Sequence, residues 1–170
     1  MRQETVTKVE AANRQLAVAI TLYFDHGDIV ATHTLAGAAR EIYERHCEIA
    51  KLPRMYDEIQ ANNPDLGRTE IFKVLNHARN FIKHHEPTGN LNATVDITDD
   101  DNKMTIFIAA FDCASLLDEE TPPLVRRYLK WFVATEPGYR EWIPELDEQL
   151  PGMHTLPEEA QRAIGKEYVV

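Results

Sequence analysis

Long apolar runs are missing from this chain. No stretch of about 18 apolar residues appears, which argues against a membrane-spanning helix. The opening MRQETVTKVEAANRQ is polar and charged where a secretion signal would carry its apolar segment. Cysteine is scarce as well. Cys47 and Cys113 are the only two, and neither belongs to a CxxC pair, so a disulfide framework and a zinc knuckle are disfavoured. Two thiols buried in helices, in a cytoplasmic and reducing setting, are expected instead. Glycine (7) and proline (9) are modest, with the prolines gathered late, which leaves the first half free for long helices.

Excess positive charge is also lacking. Eighteen Lys and Arg face 28 Asp and Glu, a formal charge of -10. That balance repels phosphate backbones at long range and excludes a general nucleic-acid coat; any RNA contact has to be local. The glycine-rich phosphate loop and the HExxH metal pair are absent, and nothing around Cys47, Cys113 or Ser115 resembles a nucleophile motif. No cofactor is expected. A metal site built from His33, Glu41, His77 and His84 is disfavoured for want of a ligand motif.

What is present is helical periodicity in a chain that is 44% hydrophobic and 27% charged, the balance of one globular domain. The expected fold class is all-α: an up-and-down helical bundle over about 5–136, with an irregular C-terminal wrap over about 137–170. Val9, Leu16, Ile20 and Tyr23 mark a first helix that Asp25-His26-Gly27 ends. Asp28 then caps a second, running to Ala50, with Leu35, Ala38, Ala39, Ile42 and Ile49 as its apolar arc. Its run Ala36-Gly37-Ala38-Ala39 invites a close neighbour. A short helix over 54–60 follows, and after it a helix over 66–85. Beyond a polar loop with a brief extended piece over 93–97, Asn102 or an Asp before it caps a strongly apolar helix to Leu117. Pro122-Pro123 open another with Trp131 and Phe132, and a last short helix covers 158–166.

The helix over 66–85 is the informative one. Ile71, Val74, Leu75, Ala78, Phe81 and Ile82 fall on one arc. The opposite face carries Lys73, His77, Asn80 and His84 at spacings of three and four, flanked by Asn76, Arg79 and Lys83. Imidazoles move protons near neutral pH, and Arg, Lys and Asn hold developing phosphate charge, so the stripe suits a phosphodiester. A solvated face whose cations pair with surplus acids is the competing explanation. The second helix adds a ridge of His33, Gly37, Arg40 and Glu44, with Glu41 nearby, which would complete a polar cleft if it faced the stripe. His46 falls on the apolar arc and is expected in the core.

The segment Arg79-Asn80-Phe81-Ile82-Lys83-His84 has the form R-x4-H with a polar residue after the Arg. In this it resembles HEPN domains, helical bundles that typically pair as dimers, many of which cleave RNA without a metal while others bind nucleotides or are inactive. The resemblance implies catalytic roles for Arg79 (phosphate charge), His84 (acid or base) and Asn80 (orientation). His77, Lys73, Lys83, His33 and Arg40 would then bind the substrate. It also implies RNA or a nucleotide as ligand and a homodimer as assembly. R-to-His spacings of this kind recur at Arg40 to His46 and at Arg79 to His85. A five-residue step separates Arg79 from His84 by about 140° on an ideal helix, so one site needs a cleft or a dimer seam. HTLAGAAREI together with NFIKHH is similar to a group of uncharacterised bacterial proteins, a likeness that implies no activity. The alternative function is a non-catalytic helical interaction protein, whose unknown protein partner could meet Trp131, Phe132, Tyr139 or Trp142.

Overall fold

The computed structural model describes residues 3–84, 90–138 and 146–170, without the side chain of Asp147. The chain is an all-α helical bundle, and no strand occurs among the described residues. Its elements are α1 (Lys8–Phe24), α2 (Ile29–Ala50), α3 (Met55–Asn62), α4 (Arg68–Leu75), α5 (His77–Lys83), α6 (Asp99–Leu117), α7 (Pro123–Thr135), α8 (Leu146–Gln149) and α9 (Glu158–Val169). No described helix is long and apolar enough to cross a membrane.

Local chemistry fixes the long helices. Thr7 and Glu10 form a capping box on α1, and Asp28 accepts from the Ala31 N–H at 2.7 Å to start α2. Thr98 caps α6 with Asp101 as its box partner, so the cap is neither Asn102 nor an Asp. Helices α1, α2 and α6 pack around Leu16, Ile20, Tyr43, Ile106 and Phe107, all at most 1% exposed. Buried residues run continuously from Ile106 to Ala110, as befits a helix surrounded by others. Cys47 and Cys113 are free, buried thiols.

Helix α7 adds Tyr128, Trp131 and Phe132 to this core, and α9 lies across α7 and α1. Trp131 and Phe132 are thus packed inside, while Tyr139 and Trp142 fall outside the described residues. Arg162 of α9 donates from Nε to the Tyr23 carbonyl at 2.8 Å and pairs with Asp99 at 2.8 Å. The Trp131 indole donates to the Gln161 carbonyl at 2.9 Å.

Helices α3 to α5 form an arm laid over α2 and α6, and here the structure departs from expectation. The segment read as one helix over 66–85 is two, broken at Asn76 (φ -108°, ψ 3°), and His85 lies outside the described residues. The break resets the wheel. Ile71 and Arg79 are the buried positions, and Val74 (75%) and Phe81 (36%) point outward. On α2 the expected arc holds in part: Ala39 is buried and Leu35 and Ile42 pack against the core, but His33, Gly37 and Arg40 are buried as well, whereas Ile49 is 64% exposed and His46 is only half-buried. Helices α1 and α6 cover most of α2, and the arm meets it at Gly37 and Arg40.

Gly165 sets how closely α9 approaches. A Cβ there would stand 2.4 Å from Trp131 Nε1 and 2.5 Å from Phe24 Cε1, far inside contact distance. Gly165→Ala is expected to destabilise the protein by about 1–3 kcal/mol through overpacking. Denaturant unfolding measures this, and an unchanged midpoint would show that α9 does not dock as described.

Candidate functional site

Arg40 places the arm. It is 2% exposed, donates from NH2 to Asn76 Oδ1 at the helix break, and lies 3.4 Å from Glu44. Burial pulls its guanidinium below the ordinary value, opposed by Glu44 and Glu41. One turn earlier on α2, Gly37 leaves room for the methylene stem of Arg79, whose Cδ would be 3.2 Å from any Cβ at that position. The Arg79 guanidinium then reaches Glu41 in an ion pair and donates to Asn80 Oδ1 at 3.3 Å. Ridge and arm therefore face each other.

On one side of the arm lies a groove of about 390 Å³ between α1, α2 and α5, lined by Lys8, Gln15, Thr34, Glu41, Arg79 and Lys83 with Ala38, Ile42 and Ile82. It continues into a hollow of about 270 Å³ that shares Lys8, Glu41 and Ile42 and adds Arg45 and His46. Four cations thus meet one carboxylate, in a chain of charge -10. Arg79 is paired with Glu41 and Arg45 with Glu48 at 2.5 Å, while Lys8 and Lys83 take part in no ion pair among the described residues. Gln15 Oε1 is buried without a hydrogen-bond partner.

On the other side lies a cleft of about 230 Å³ between the arm and α6, lined by His33, His77, Asp96, Asp101 and Thr105 over an apolar wall. His33 is 4% exposed, and its Nδ1 lies 3.0 Å from Asn102 Oδ1.

The arm therefore splits the residues singled out from sequence. Arg79 and Lys83 line the cationic groove; His33 and His77 line the cleft opposite. Arg40 is enclosed beneath the break, and Lys73, Asn80 and His84 are exposed and line neither cavity. Lys8, Gln15 and Thr34 escaped sequence reasoning, and so did Asp96 and Asp101. Lys8 and Gln15 share an edge of α1 at a spacing of seven, the only signal that could have linked them. Among the described residues, no group of three His, Cys, Asp or Glu side chains is placed to hold a metal ion.

Compared with protein-family models, with curated proteins and with solved structures, the chain matches none. Its class rests on the fold itself, an all-α bundle with a clamped helical arm and grooves on both of the arm's sides.

Under the arm, Asp112 of α6 is wholly buried. Its Oδ1 accepts from the Met55 N–H at 2.8 Å, capping α3 from outside that helix, and its Oδ2 has no partner. Burial pushes its carboxyl up to about 7, reinforced by Glu44 and opposed by the Met55 hydrogen bond, Arg40 and Arg54. The folded state holds this proton more tightly than the unfolded chain, whose ordinary value is 3.8. This contribution to stability is full below pH 3.8 and is lost as pH rises through about 7. Asp112→Asn keeps an acceptor for Met55 and removes the titration. Thermal unfolding at pH 5 and pH 8 is expected to show a smaller loss for the variant than for wild type, and equal losses would count against the assignment.

Proposed function

We propose that this chain binds a phosphate-bearing ligand of nucleotide size in the groove between α1, α2 and α5. The observation that carries this is the local reversal of charge: Lys8, Arg79 and Lys83, with Arg45 in the adjoining hollow, surround Glu41 in a strongly acidic protein. Ammonium groups without ion pairs are ready donors to phosphate oxygens. The HEPN resemblance points to the same ligand class through Arg79.

Binding is favoured over RNA cleavage by the fate of Arg79 and His84. Arg79 is neutralised by Glu41 within the chain, and His84 is exposed outside the groove that Arg79 lines. Cleavage by this pair needs His84 of a second copy to reach the first copy's groove, as the homodimer of the resemblance would allow.

Calorimetric titration with ATP, GTP and AMP tests the proposal. Binding is expected to weaken with added salt. Each of Lys8→Ala and Lys83→Ala, both exposed, is expected to lower affinity about tenfold, the effect of one charge-assisted hydrogen bond. No heat with any nucleotide at millimolar concentration would end the proposal. Chelator-resistant RNA cleavage that is lost in His84→Ala would replace it with the catalytic reading.

A further inference from the structure

The cleft on the far side of α5 has the opposite chemistry from the cationic groove. Its polar lining is His33, His77, Asp96, Asp101 and Thr105, and its wall is Val74, Leu75, Ala78, Met104 and Ile108. His33 is the buried polar group of this lining, and its protonation follows from its neighbours. Asn102 Nδ2 donates to the Ile29 carbonyl at 3.0 Å, which can only accept, so the Asn102 oxygen is the atom that faces His33. That oxygen also only accepts, so His33 Nδ1 carries a proton. Burial holds the His33 pKa below its ordinary value, leaving the ring neutral with a lone pair on Nε2. Nε2 bonds to no described residue. A nine-tenths buried ring therefore presents an unmatched acceptor in a cavity whose rim bears two carboxylates.

We propose that this cleft binds a small aliphatic diamine, one ammonium donating to His33 Nε2 and the other facing Asp96 and Asp101. Phosphate-bearing ligands are excluded by the two carboxylates. A bare metal ion is disfavoured because no three ligating side chains converge among the described residues, and an apolar wall adds nothing to its binding. A methylene chain uses that wall. The volume of about 230 Å³ lies below the ~300–1,000 Å³ of drug-sized pockets, which limits the ligand to a few carbons. Asp96 forms no ion pair or hydrogen bond among the described residues, and Asp101 spends one oxygen on the Thr98 cap. With Asp99 paired to Arg162, the positive end of α6 is still outweighed by Asp100 and Asp101 in its first turn, since a helix terminus carries only about half a charge.

Titration of the full chain with pentane-1,5-diamine, followed by calorimetry and by the side-chain ¹⁵N resonances of His33, tests this. Saturable binding that moves the Nε2 resonance is expected, with pentane-1,5-diol inert. Asp96→Asn, at an exposed position, is expected to lower affinity about tenfold. Ala78→Leu, which fills the cleft, is expected to abolish binding, whereas Lys83→Ala leaves it intact and so separates this site from the cationic groove. Absence of binding, equal affinity in Asp96→Asn, or equal binding of the diol overturns the proposal. A His33 Nε2 resonance that responds to Zn²⁺ and not to the diamine overturns it in favour of a metal site.

Discussion

A guanidinium with 2% of its surface exposed has to be matched at most of its donors, and the arrangement around Arg40 follows from that requirement. Glu44 supplies charge from the same helix, and Asn76 supplies an acceptor from the arm. Asn76 serves Arg40 at a point where its own backbone leaves the α-helical region (φ -108°, ψ 3°), and the arm is broken there. A straight helix over 68–83 would keep one wheel from end to end. The break allows α5 to turn Arg79 inward, over Gly37 and onto Glu41. Removing one partner of such a buried group costs several kcal/mol, far more than a surface pair contributes, so the clamp outranks the exposed cations of the arm as a determinant of structure.

The position of the arm has an electrostatic consequence. Laid along α2, it separates cations contributed by α1 and α5 from carboxylates contributed by α6 and the segment before it. Each cavity holds groups from elements distant in sequence, as Lys8 with Lys83 and His33 with Asp96 show. Asp112 works beneath the arm in the same way, capping α3 through Met55 from another helix. The local chemistry of this protein is thus built across contacts between the arm and the bundle.

The bundle was legible because capping and punctuation are local signals. Asp28 starts α2, Asp25-His26-Gly27 ends α1 and Pro123 opens α7 where the residues said they would. The arcs of α2 and of the arm were legible only in part: Ala39, Leu35 and Ile42 face the core as read, but the buried polar residues were not foreseen, because apolar periodicity assumes that charged groups point outward. Arg40 and His33 break that assumption with partners, Asn76 and Asn102, that lie 36 and 69 residues away. Arg79 breaks it through its methylene stem, which packs like an aliphatic side chain while the guanidinium reaches an acid. The small-residue run did foretell close neighbours: Ala36 and Ala39 pack in the core, and Gly37 makes room for the Arg79 stem of the arm. Beyond the spacing of seven that joins Lys8 to Gln15, these two and Asp96 carry no sequence signal of membership in a site, since each becomes a lining residue only through tertiary packing.

A net charge of -10 disfavours a general nucleic-acid coat but leaves local phosphate contact open, and the cationic groove is such a locality. Screening at physiological ionic strength confines exposed charges to about 8 Å, so a ligand entering between α1 and α5 responds to its lining rather than to the whole molecule. Among the lining residues the balance is set by Lys8, Arg79 and Lys83 against Glu41. Glu41 is committed to Arg79, so an arriving anion does not meet a free carboxylate. The Arg79 pair contributes little net charge; the attraction comes from the two lysines that fold without an ion pair among the described residues. The acidic remainder then acts at longer range, where it slows the approach of polyanions and leaves small anions less affected, because repulsion scales with the charge of the ligand. The mononucleotide proposed for this groove is therefore repelled less than a long RNA would be, and the same field favours the approach of the small cation proposed for the cleft on the opposite side of the arm.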